Sequence, residues 1–123
     1  MKLIQLFTFL VMSFSGIVYA ASGHDLKPVY GGAVAEVKDI TFEFVATADS
    51  LLLYLSDHGK PVDISRSTAK ATILQGAEKQ EVELKTAGLR FEATGSFKIA
   101  NAKVVVTVSQ PGKAPVNVRF TLK

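Results

Sequence analysis

The chain has 123 residues, no cysteine, and 14 cations against 11 carboxylates, for a formal net charge of +3. Without cysteine there are no disulfides, no thiol redox chemistry, no thiolate-held metal or iron–sulfur cluster, and no lipobox for lipid attachment. The charges are spread along the chain and form no contiguous run, so the sequence shows no sign of the concentrated basic face a nucleic-acid partner requires.

The first element is "MKLIQLFTFLVMSFSGIVYA". One cation, Lys2, precedes an apolar run, and the segment closes on the small residue Ala20. This predicts a secretory signal peptide over residues 1–20, too short and wrongly flanked to anchor the chain in a membrane. Cleavage after Ala20 leaves Ala21–Lys123, a single domain's length. Both methionines, Met1 and Met12, fall in the leader, so the mature chain carries no sulfur. Soft ions such as Cu(I), which select thiolate and thioether ligands, have nothing to bind there.

Residues 21–30, beginning "ASGHDLKPV", are polar and irregular, with Pro28 opposing a helix, and read as a flexible N-terminal arm. Gly31 and Gly32 make a turn into the first strand, and from there the pattern has period two. "ITFEFVAT" sets Ile40, Phe42, Phe44 and Ala46 against Thr41, Glu43, Val45 and Thr47. "LLLYLSD" follows, with Leu52 and Tyr54 sharing its outward face. That pairing implies that the outward face is also covered, or that the arm pairs with it. "TAKATILQ" (residues 68–75) turns Ala69, Ala71 and Ile73 inward. "EVELK" opposes Val82 and Leu84 to Glu81, Glu83 and Lys85. "LRFEAT" points Leu89, Phe91 and Ala93 inward. "KVVVTVS" buries Val104, Val106 and Val108, and "VNVRFTL" buries Val116, Val118, Phe120 and Leu122. Turn signals such as "TADS", "SDHGKP", "QGAEKQ", "KTAG" and "QPGKAP" separate them. Seven to eight short strands over residues 31–123 predict an all-β, antiparallel, immunoglobulin-like β-sandwich, with a small closed barrel as the alternative. Outward Lys70, Lys103 and Arg119 would blunt strand edges against unwanted pairing.

Enzyme chemistry has few materials. The only imidazoles are His24, in the arm, and His58, in a polar turn. No G-x-S-x-G, H-E-x-x-H or glycine-rich phosphate loop occurs. Glu43, Glu81, Glu83 and Glu92 fall on expected solvent faces. The reading is therefore a non-enzymatic protein. Histidine with carboxylate suits Cu(II), Zn(II) or Ni(II), and the candidate ligands are His24, Asp25, Asp57, His58 and Glu36. Cleavage one residue later, after Ala21, would put His24 third and create an amine–amide chelate for Cu(II). For "SDHGKP" two readings stand side by side. His58 is a metal ligand, or it is a turn residue between the capping Asp57 and Gly59, with Pro61 closing the turn.

The stretch "KPVYGGAVAEVKDITFEFVATADSLLLYLSDHGKPVD" resembles a group of small exported proteins of Gram-negative bacteria. Their pattern runs H-G-G or Y-G-G, V-x-E-V, an F-E-L-V-like strand, then D-H-G-K-P-V. The likeness continues through "EKQEVELK" and "FKIANAKVVVTV". A similar module occurs in periplasmic adaptor subunits of heavy-metal efflux pumps. Gly31, Gly32, Glu36, Asp57, His58, Gly59, Lys60 and Pro61 match the pattern, and Tyr30 stands where many relatives carry histidine. The resemblance implies a periplasmic accessory to heavy-metal handling, with an efflux component as partner. The alternative is a metal-free protein-interaction or accessory module that uses a strand edge or a loop end.

Overall fold

A computed structural model describes residues 26–123. The expected leader, the first half of the arm, His24 and Asp25 lie outside the described residues. Nine strands follow in order: β1 (Ala33–Val37), β2 (Ile40–Ala46), β3 (Ser50–Asp57), β4 (Lys60–Pro61), β5 (Thr68–Gln75), β6 (Glu78–Ala87), β7 (Arg90–Thr94), β8 (Lys103–Ser109) and β9 (Val116–Thr121). Every pairing is antiparallel.

The strand path β1-β2-β3-β7-β6-β5-β8-β9, with β4 attached to β3, has the immunoglobulin Greek-key connectivity. Strands β2, β3, β7 and β6 occupy the places of A, B, E and D in one sheet, and β5, β8 and β9 those of C, F and G in the other. Strand β6 belongs to both sheets. Its residues 78–84 pair with β5, and Lys85–Ala87 pair with β7. At the far side β1 comes alongside β9, so the sandwich is close to a closed barrel.

Period-two patterning produces the core directly, because alternate residues of a strand share one face. Phe42, Phe44, Leu51, Leu53, Leu55 and Phe91 project from the first sheet. Ala69, Ala71 and Ile73, then Val104, Val106 and Val108, then Val118 and Phe120, meet them from the second. Bulky aromatic and leucine side chains on one layer thus fill the space left by alanine and valine on the other. The Phe44 and Phe120 rings lie across the gap with centroids 5.4 Å apart.

Several expectations need correction. Leu89 does not point inward but is 62% exposed, because it sits in the two-residue turn between Ala87 and Arg90, where strand alternation no longer applies. Lys70 and Lys103 guard no edge. Strand β5 is flanked by β6 and β8, and β8 by β5 and β9, so both lysines lie on interior strands. Lys70 instead sits 3.5 Å from Glu81, as does Lys79, and the two ammonium groups hold the Glu81 carboxyl below the usual carboxylate range. "QGAEKQ" is mostly strand, since Gln75 already pairs with Glu78 and only Gly76 and Ala77 turn.

Phe91 is fully buried at the centre of the first sheet. Phe91→Ala should lower unfolding stability by about 3–5 kcal/mol, read from urea denaturation, because the void it leaves is walled by strands that cannot collapse into it.

Candidate functional site

The site grows from one glutamate. Alternation places Glu43 on the outer face of β2, where a solvated side chain is expected; instead it is 5% exposed. A buried carboxylate needs donors. Glu43 finds three in the backbone of the preceding segment. The Val29 N–H donates to Oε1, and the Tyr30 and Gly32 N–H groups donate to Oε2, each at 2.8 Å. Residues 29–32 therefore lie across the outer face of the sheet.

The glycine pair makes this course possible. Gly31 has φ of 79°, a left-handed conformation that a side chain resists. Gly32 passes so close to β2 that a Cβ would overlap the Phe44 carbonyl oxygen and come within 2.8 Å of the Val45 side chain.

Held this way, the Tyr30 ring stacks on Tyr54 of β3, with centroids 3.7 Å apart and planes 11° from parallel. The shared outward face of Leu52 and Tyr54 is thus partly covered, as the sequence implied, by the residues just before β1. In the sheet, Glu43 pairs with Tyr54 and Tyr54 with Arg90, so the three form one outer row across β2, β3 and β7. Arg90 donates through Nε and Nη2 to Oε1 of Glu92, at 3.3 and 3.1 Å, and through Nη1 to the Tyr54 hydroxyl at 3.4 Å. These bonds, that to Glu92 foremost, raise the guanidinium pKa.

Beside this row runs a groove of about 370 Å³. Tyr54, Leu55 and Ser56 of β3 form its floor with Thr41 of β2. Gly59 and Pro61 wall one side, Ala87 and Leu89 another, and Lys27, Val29 and Tyr30 the third.

Asp57, His58, Gly59 and Lys60 form the hairpin turn at one end of the groove. Asp57 pairs with Lys60, and both central residues have positive φ, 52° for His58 and 84° for Gly59. That is a type I′ turn, for which Asn-Gly or Asp-Gly is the usual choice. The His58 ring is 75% exposed, and its Nδ1 lies 2.6 Å from Oδ1 of Asp57. An ionised carboxylate only accepts, so Nδ1 donates and the lone pair of the neutral ring sits on Nε2. Glu36 is elsewhere. It pairs with Thr41, which pairs with Ser56, so a whole strand separates Glu36 from β3 and its turn. Among the described residues, no three of His, Asp and Glu come together as a metal-holding group.

Sequence reasoning singled out Asp57 and His58 and missed Glu43, Tyr54 and Arg90 as parts of one surface. No family model matches the sequence, and no curated protein matches it. Among solved structures, the fold is similar to that of a carbohydrate-binding module, BhCBM56, crystallised as a Br derivative. The match has a TM-score of 0.50 and 11% identity, covering 75% of this chain and 99% of that one. At that identity the likeness concerns the fold.

Glu43→Gln replaces one acceptor oxygen with an amide that cannot accept from the facing N–H groups. Stability should drop by about 2 kcal/mol in urea titrations. Amide exchange should speed up at Val29, Tyr30 and Gly32 while the β5 and β8 amides keep their protection.

Proposed function

We propose that this protein is an exported, non-enzymatic periplasmic accessory module that binds a divalent metal ion, Cu(II), Zn(II) or Ni(II), through His58. One observation carries the reading. His58 occupies a left-handed turn position for which asparagine, aspartate or glycine is the usual choice, and residues held in sparsely populated conformations cluster at functional sites. The Asp57–His58 contact adds support, since a carboxylate on one ring nitrogen fixes the tautomer and the ring orientation, an arrangement metal-bound histidines commonly show. Asp57 is then an orienting partner rather than a ligand. One histidine in a mostly exposed turn makes a weak and incomplete site. It suits an ion that is passed on, with further ligands from His24 or from an efflux component. The resemblance in the D-H-G-K-P-V segment points the same way.

A second reading is a metal-free binding module. The groove beside the Tyr30–Tyr54 stack favours it, and so does a fold shared with a module whose role is binding rather than catalysis.

His58→Asn separates function from turn. Asparagine fits the type I′ position, so the variant without metal should unfold within about 0.5 kcal/mol of the parent, or above it. Titration with Cu(II), Zn(II) and Ni(II) should raise the melting temperature of the parent in a saturable way, because a ligand that binds only the folded state stabilises it. In His58→Asn that rise should vanish. A parent that responds to none of the three ions discards the metal reading and leaves the binding-module reading.

A further inference from the structure

The groove beside the tyrosine stack has a ligand chemistry of its own. Of the five exposed large hydrophobic side chains among the described residues, three, Val29, Tyr30 and Leu89, line it, so apolar exposure is concentrated there. Its volume, about 370 Å³, falls within the range of small-ligand sites.

The charges at the groove are balanced. Glu43 has both oxygens engaged by backbone N–H groups, and Arg90 is paired with Glu92. Lys27 adds one cation. A phosphate or an acidic peptide would need a cluster of cations without such counter-charges. An extended peptide would need a strand edge to pair with. The floor strand β3 offers none, since β2 lies on one side and β7 and β4 on the other.

The groove does offer a fixed aromatic plane. One face of the Tyr30 ring is covered by Tyr54, and the residue is still 54% exposed. Arg90 also lines the groove, and its guanidinium, 42% exposed and bonded to the Glu92 carboxylate, supplies planar donors there. The hydroxyls of Thr41 and Ser56 follow along the floor. A flat apolar surface flanked by planar hydrogen-bonding groups matches a sugar ring, which has one C–H face and a rim of hydroxyls.

We propose that the groove is a binding site for a neutral saccharide. One ring stacks on the outer face of Tyr30, and its hydroxyls bond to the Arg90 guanidinium and the floor hydroxyls. The inference rests on the groove being a binding surface and is independent of metal at His58. Because the Tyr30 plane is set by Tyr54 and by the Glu43 bonds before any ligand arrives, little ordering is required on binding.

The test is calorimetric titration of the full chain with neutral tetrasaccharides: β-linked glucose, α-linked glucose and β-linked N-acetylglucosamine. Tetra-aspartate and tetra-alanine peptides run beside them. At least one tetrasaccharide should bind saturably. Tyr30→Ala should weaken it by about tenfold or more, Tyr30→Phe should retain it, and His58→Asn should leave it unchanged. Melting curves of the variants confirm that each is folded. Failure of all three saccharides overturns the proposal, and so does equal binding by Tyr30→Ala. Binding of a peptide instead, with the same Tyr30 dependence, also overturns it while leaving the groove a binding surface.

Discussion

Everything on the outer face depends on the carboxylate of Glu43. Buried beneath the segment that leads into β1, it must be met by donors, and the donors within reach are main-chain N–H groups of residues 29, 30 and 32. A side-chain partner could be replaced by another side chain. Backbone donors instead fix the path of the chain itself. That path requires a left-handed Gly31 and a Gly32 without a Cβ, and it delivers Tyr30 onto Tyr54. The stack, the third wall of the groove and the exposed Tyr30 ring are consequences of that one satisfied charge.

The fold supplies the other two walls. Strand β3 runs past the end of β7, and beyond that point its partner is the short β4. Val62, just past β4, donates its N–H to the Leu55 carbonyl at 3.0 Å, and the groove opens over this stretch between the β3–β4 turn and the β6–β7 turn. Because β6 crosses from one sheet to the other just before that second turn, Leu89 and Arg90 are delivered beside Tyr54 instead of continuing along the second sheet. The metal candidate and the groove therefore share an end of the molecule, with His58 on the turn and Gly59 and Pro61 along the wall.

Most strands were legible in the sequence because each has one buried face, and burial writes a period of two; β1, half-buried throughout, and β4, exposed, carry no such signal. The inward sets from Ala69 to Ile73 and from Val104 to Val108 lie where that period puts them. The same rule misled at Leu89, where alternation ran on into a turn, and at Glu43, where an outward position proved to be covered. Nothing local marks Glu43, since its partners are backbone groups, which every residue carries. The nearest hint was indirect: two outward apolar residues, Leu52 and Tyr54, called for a cover. Strand order was not legible at all. Period two says which face is buried and is silent on which strand lies next, so Lys70 and Lys103 looked like edge guards and are not. The turn at His58 and Gly59 could be read as a turn, but its left-handed histidine is a matter of backbone angle.

The tyrosine pair has an optical consequence. The chain contains no tryptophan, and its three tyrosines are Tyr19, Tyr30 and Tyr54, so the described residues hold just the two stacked rings. Parallel phenols 3.7 Å apart are close enough for their transitions to couple. The tyrosine signal of the folded domain therefore comes from the contact that reports whether the entry segment lies on the sheet. The molecule has a built-in gauge of its own N-terminal docking, separate from the signal of global unfolding.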